Sequence, residues 1–358
     1  MKSKLFWIFI LLPLLLLFSC SSPKSQPTPI STPVANRTLT PEEETSTLLS
    51  LEQVDDHPLY TMHYIGTYAG RTRSSVPASA DLSKPASASV QRSCSAAWAC
   101  SLFAALGDEE DRVLGRNFDW QFSPALLLFT DPADGYASVS MVDIEYLGFE
   151  GEHSRNLTDL PLEERRALLD APSLPFDGMN ERGLAVGMAA IPREEMPYDP
   201  QKRTIDQLEV IREILDHAGT VDEAIGIMGN YNIDMGSVPI HYLIASASGE
   251  SAVVEFHQGE MVVFRNDTPW QVATNFLLAS TNGNVQGQCW RFDLISQRLL
   301  DLGGQISPQD SIRLLEEVSQ DHTQWSILYH MTGRDIDIVM GRDYSGKPLT
   351  FHLDQPLQ

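Results

Sequence analysis

Only one stretch of this chain is apolar without interruption, and it lies at the very start. Met1 to Cys20 reads MKSKLFWIFILLPLLLLFSC, with Lys2 and Lys4 ahead of an apolar run from Leu5 to Phe18. The run falls short of the roughly 20 residues that span a bilayer. A positive end followed by a short apolar run is the pattern of a secretion signal that is later removed. Residues 1–19 therefore read as a signal peptide. Everything after them must fold without a second long apolar segment, as an ordinary globular body.

The end of that run, Leu17-Phe18-Ser19-Cys20, resembles a bacterial lipobox, in which the Cys becomes the lipidated first residue. A segment rich in Ser, Pro and Thr follows, from 20 to 47, and its composition predicts a disordered tether. Signal, lipid Cys20, spacer and body in that order imply an extracytoplasmic protein anchored to a bacterial membrane through Cys20.

Charge narrows the function classes. The formal net charge is −23, from 25 Lys+Arg against 48 Asp+Glu. Residues 100–358 alone carry 17 basic and 41 acidic side chains. So acidic a body opposes nucleic-acid binding, which needs a basic footprint on phosphates. It equally opposes docking on anionic lipid through surface charge. Four cysteines are too few for a disulfide scaffold of this size. Neither HExxH nor CxxC occurs, so no metal site and no cofactor are expected.

Globular composition begins near Leu48. Tyr60 to Tyr68 is β-like, and 71–92 falls back to a Ser/Ala/Pro-rich loop. Further strands are predicted at 137–147, 183–191, 239–246, 251–257, 260–266, 271–275, 325–332 and 335–340. Helical periodicity marks 161–170, 203–217, 221–229, 290–301 and 308–319. Strands in runs with grouped helices favour α+β with antiparallel sheets over βαβ alternation. The apolar stretch Phe122 to Phe129 reads equally as core or as the wall of an acyl pocket.

The chemistry concentrates around Cys100. A turn over Gly107 to Asp111 would fold the segment ending Gly115-Arg116-Asn117-Phe118-Asp119-Trp120 back beside Cys100. Arg116 and Asp119 would then lie near the thiol, in surroundings that can favour thiolate. Cys94, also followed by Ser, is the rival nucleophile, but it is six residues farther from Arg116. A Cys94–Cys100 disulfide is the alternative that would block catalysis, and Cys289 reads as core.

Gly-Arg-Asn-x-Asp-Trp with Arg116 16 residues after a Cys resembles the choloylglycine hydrolase group of N-terminal-nucleophile hydrolases. That group takes in bile salt hydrolases, penicillin V acylases and acid ceramidase-like enzymes, with isopenicillin N acyltransferase more distant. Four further blocks resemble it in order: Asp177-Gly178-Met179-Asn180-Glu181-Arg182-Gly183-Leu184, Val272-Ala273-Thr274-Asn275, Cys289-Trp290-Arg291-Phe292 and Thr323-Gln324-Trp325-Ser326. Thr220 to Gly229 resembles a family helix.

The resemblance implies a four-layer αββα fold over 100–358, preceded by a pro-segment at 48–99. It implies that Cys100 is exposed as a new N-terminus by autoproteolysis after Ala99. The freed α-amine, with an ordinary pKa near 8, would act as base to the thiol. Asp119 would hold that amine, Arg116 would sit beside the thiol, Asn275 would donate to the oxyanion, and Arg291 would brace the site. Asn180 matches a motif position with a turn role. The expected reaction is hydrolysis of a linear, non-peptide amide in a small N-acyl substrate. Bile salt hydrolases often carry a second oxyanion Asn ten residues after the Asn180 position. Ala190 stands there in this chain, which points away from bile salts. Acyl transfer to an amine, bile salt hydrolysis and an inactive ligand-binding lipoprotein are the alternatives.

Overall fold

The computed structural model describes residues 39–68 and 99–354. The signal peptide, Cys20, Cys94 and the loop at 71–92 lie outside them. The N-terminal elements are α1 (Pro41–Leu49), β1 (Glu52–Asp55) and β2 (Leu59–Tyr64). Then come β3 (Ala99–Ala105), β4 (Val113–Asp119), β5 (Ala125–Thr130), β6 (Ser138–Asp143), α2 (Leu162–Arg165), β7 (Asp177–Asn180), β8 (Leu184–Ala190) and β9 (Thr204–Asp206). Helices α3 (Glu209–His217) and α4 (Val221–Met228) precede β10 (Asn232–Asp234), β11 (Ile240–Ser246), β12 (Ser251–His257), β13 (Glu260–Arg265) and β14 (Trp270–Ala273). The chain closes with α5 (Trp290–Asp301), α6 (Pro308–Glu317), β15 (Thr323–His330), β16 (Asp335–Met340) and β17 (Leu349–His352).

Two sheets dominate. The larger runs β1-β2-β5-β6-β7-β8-β11-β12-β13 and the smaller β14-β3-β4-β15-β16-β17. They face each other through β3, β4 and β14 on one side and β8, β11 and β12 on the other. Helices α3 and α4 cover the outer face of the large sheet, and α5 and α6 that of the small one. The result is the αββα layering that the family resemblance implies. Strands buried on both faces lack simple alternation: every residue of β5, β6, β8 and β11 is buried.

Glycine decides how closely the layers approach at two positions. A Cβ on Gly115 would lie 2.5 Å from the Phe103 ring, which stands opposite it in the β3–β4 pair. A Cβ on Gly187 in β8 would lie 2.6 Å from Leu102 of β3, so this glycine lets the two sheets close together beside Cys100.

Three expectations are corrected. The disordered tether of 20–47 does not extend to its end: α1 begins at Pro41, because Thr40 and Glu43 form a reciprocal capping box. The sheets are not wholly antiparallel. The expected strand at Tyr60 to Tyr68 forms as β2 and pairs in parallel with β5, from Leu59 opposite Ala125 to Tyr64 opposite Thr130. Parallel pairing needs a long connection, and here the chain between the two strands includes the whole β3–β4 hairpin of the other sheet. Finally, 203–217 is not one helix. Thr204 to Asp206 pair with β10 before α3 begins.

Candidate active site

Cys100 is the second residue of β3, joined to Ala99 in the uncut chain, and it is buried. The hairpin forms as its spacing predicts, with Leu102 opposite Arg116 and Ala99 opposite Asp119. Side chains alternate along a strand. Cys100 and Arg116 therefore share the face that meets the large sheet. Ser101 and Asp119 take the other face, toward α5 and its Arg291.

Arg116 Nη2 stands 3.9 Å from the Cys100 sulfur. Its Nη1 donates to the Phe176 carbonyl at 2.8 Å and forms a fully buried ion pair with Asp177 of β7. Tyr329 also donates to Asp177. Burial works against the Arg116 charge, but Asp177 and the neighbouring thiol hold its pKa above the ordinary value. Arg116 thus reaches across from the small sheet and is fastened in the large one. The Asp177-Gly178-Met179-Asn180 motif by itself assigns Asp177 no role. A carboxylate in a fully buried strand was the available signal that a cation faces it.

The thiol is not primed in this uncut state. Burial pushes the Cys100 pKa up, and the pull of Arg116 only partly offsets it. The expected thiolate-favouring environment is therefore corrected: removing water costs the thiolate more than one guanidinium returns.

On the other face, Arg291, near the start of α5, gathers the site. Its Nη1 donates to the Cys100 carbonyl at 2.6 Å and to Ser101 Oγ at 2.8 Å. Its Nη2 donates to Asn275 Oδ1 at 2.9 Å. That same oxygen accepts the Cys100 backbone N–H at 2.7 Å. Asn275 Nδ2 donates to the Ala190 carbonyl at 2.8 Å, which leaves the second N–H of the amide for another acceptor. Asp119 accepts from Thr323 and lies 3.7 Å from Arg291. Burial raises its pKa to about 6 against the pull of Thr323 and Arg291. Cys100, Arg116, Asp119, Asn275 and Arg291 are thus brought together.

Asn180 lies apart from them. Its Oδ1 accepts the N–H groups of Arg182 and Leu184, and its Nδ2 donates to the carbonyls of Leu215 and Ala218. It builds the β7–β8 turn and ties it to α3. Asn117, inside the Gly-Arg-Asn motif, likewise clasps a helix, donating to the Leu315 carbonyl at 2.7 Å.

Cys100 is free, so it is not disulfide-bonded to Cys94. Cys289 is buried as expected and is disulfide-bonded.

The thiol opens onto an apolar pocket of about 460 Å³, counting the space open to solvent at its mouth. Phe118, Trp120, Tyr146, Phe176, Met188, Ala190, Gln207, Leu208, Val238 and Ile240 complete the wall, without a charged side chain. The stretch 122–129 does not contribute. Residues 125–129 are core in β5, and Phe122 turns outward against His57.

The profile of the linear amide C–N hydrolases, choloylglycine hydrolase family, matches residues 100–277. Among solved structures, a mutant of the conjugated bile acid hydrolase from Clostridium perfringens is 16% identical, with 72% of this chain and 94% of that one covered and a TM-score of 0.51. Another variant of that enzyme is 14% identical over the same shares, with a TM-score of 0.50. Penicillin V acylase from Agrobacterium tumefaciens is 16% identical over 70% of this chain and 84% of that one, with a TM-score of 0.48.

Proposed function

Because residues 100–277 belong to the choloylglycine hydrolase family of linear amide C–N hydrolases, we propose that Cys100 is the nucleophile of an N-acyl amide hydrolase that first cuts its own chain. The observation that carries this reading is the position of Cys100. Its thiol faces Arg116 and an apolar pocket, while its peptide nitrogen and carbonyl are held by Asn275 and Arg291.

In processing, the Cys100 sulfur attacks the Ala99 carbonyl carbon and the Ala99–Cys100 C–N bond breaks. The Cys100 nitrogen takes the thiol proton and leaves as an amine, with the Ala99 acyl group on sulfur as a thioester. Water hydrolyses that thioester, giving an Ala99 carboxylate and a Cys100 thiol with a free α-amine.

The mature site repeats the chemistry on substrate. The α-amine accepts the thiol proton, and the sulfur attacks the substrate carbonyl. The remaining Asn275 N–H stabilises the oxyanion, Asp119 and Asn275 Oδ1 steady the α-ammonium, and the leaving amine takes the proton. Water then releases the acyl group as a carboxylic acid. An uncharged aromatic or aliphatic acyl group suits the apolar pocket. Ala190 offers a carbonyl where a second amide donor would stand, which speaks against bile salts as the preferred substrate. The lipobox at Cys20 supports an extracytoplasmic, lipid-anchored enzyme.

Intact-mass and N-terminal analysis of wild type and Cys100→Ala tests the reading. The expected result is a wild-type chain starting at Cys100 and an uncut variant. A wild type that hydrolyses amides while remaining uncut overturns it.

A further inference from the structure

His241 of β11 and Glu255 of β12 are neighbours on the large sheet, both essentially without exposure to solvent. Their side chains meet at 2.9 Å, His241 Nδ1 to Glu255 Oε1. The carboxylate accepts, so Nδ1 carries the proton. Glu255 then spends both oxygens on one short turn. Its Oε1 accepts the Leu278 N–H and its Oε2 the Ala279 N–H, each at 2.9 Å. Burial alone would raise the Glu255 pKa, but the His241 bond and these two amides hold it below the ordinary value. It is therefore an ionised acceptor inside the protein.

The turn it grips begins three residues after Asn275, which lies beyond the end of β14 and is not itself in a strand. Asn275 is held by Cys100 and Arg291 at one atom and by Ala190 at another. The Ala190 bond ties Asn275 itself to β8 of the large sheet, and the chain that follows it needs a tie of its own. Glu255 supplies that tie, because β12 meets β14 across the space between the sheets. Removing the carboxylate would leave two partly buried amides without their acceptor, and the turn would relax away from β12. Small displacements of this kind are costly where a donor must meet an oxyanion.

We infer that Glu255, oriented by His241, is a positioning residue for the reaction, fixing the turn that presents Asn275 to Cys100. This rests on the reading of Asn275 as the oxyanion donor. The two carboxylate oxygens match the two amides, and glutamine could accept only one of them. At His241 the requirement is a donor at the Nδ1 position, which asparagine also provides and leucine does not.

The test uses the purified full chain with N-phenylacetyl-p-nitroanilide as probe, alongside hydrogen exchange at the Leu278 and Ala279 amides. Glu255→Gln and His241→Leu are expected to lower kcat at least tenfold with KM within twofold. Both are expected to speed exchange at the two amides at least tenfold. His241→Asn is expected to stay within threefold of wild type in both measurements. Unchanged exchange in Glu255→Gln, or faster exchange with kcat intact, overturns the inference. If Glu255→Gln does not fold, the contrast between His241→Leu and His241→Asn decides. A wild type that is inert toward the probe counts against the proposed amidase, and exchange alone then judges the tie between Glu255 and the turn.

Discussion

Asn275 Oδ1 accepts the backbone N–H of Cys100 at 2.7 Å, so the nitrogen that would become the α-amine is gripped before any bond is cut. The same side chain has an N–H left for an oxyanion. Asn275→Ala should therefore slow both self-cleavage and turnover. Loss of one oxyanion donor costs roughly 2.7–4 kcal/mol, or about 10²–10³ in kcat. Timed denaturing gels and initial rates on the same preparation check this, and kcat within threefold of wild type would reject the role.

Arg116 and Asp177 are both completely buried. Asp177→Asn leaves the guanidinium charge without its counter-ion and should destabilise the fold by about 3–5 kcal/mol. The double variant Arg116→Met with Asp177→Asn should lose less stability, since no unpaired charge remains. Urea midpoints for the three proteins measure the difference.

Asp143 is buried, and burial raises its pKa to about 8, against the opposing pull of Ser123 and the Glu145 amide. The unfolded carboxyl titrates near 3.9. Between those values the folded state holds a proton that the unfolded state has lost, so stability falls as pH rises from about 4 to about 8. The slope from this group is at most about 1.4 kcal/mol per pH unit. Asp143→Asn should flatten that part of the curve and raise Tm relative to wild type above pH 8. Thermal melts across pH check it.

Gly115→Ala should push the buried Phe103 ring from its place over β4. Overpacking of this kind costs about 1–3 kcal/mol. Adding Phe103→Leu should restore part of the loss, measured by thermal melts.

β2 lies between β1 and β5 in the large sheet and pairs with β5 over six residues. Tyr60 of this strand donates to the Ser154 carbonyl at 2.9 Å, and its His63 stacks on Phe129. The fragment ending at Ala99 should therefore stay with the processed chain. Gel filtration with reductant present should show both pieces together until denaturant is added. A large piece eluting alone, or leaving membranes after processing, would contradict this.

Much of this was legible because local pattern and tertiary demand agree. The β3–β4 hairpin followed from a turn between two runs, and α5 and α6 from unbroken periodicity. What stayed hidden depended on partners far along the chain. Thr204 to Asp206 becomes a strand only because β10 lies beside it. The parallel seat of β2 needs a strand from beyond the intervening hairpin. Phe122 to Phe129 could be divided between core and surface only once β2 and β6 flanked it. Glu255 stands as a single charge in Ala-Val-Val-Glu-Phe, with nothing local to mark its partners, which are amides more than twenty residues later.

The burial of Cys100 also bears on its survival. Oxidants and alkylating agents react with exposed thiolates, and this thiol is almost wholly buried at the wall of the pocket, with its pKa raised by burial. Another cysteine of the same chain, Cys289, is already oxidised to a disulfide. The uncut chain therefore meets disulfide-forming surroundings with a thiol that lies on a pocket wall and whose pKa burial raises, which slows its oxidation.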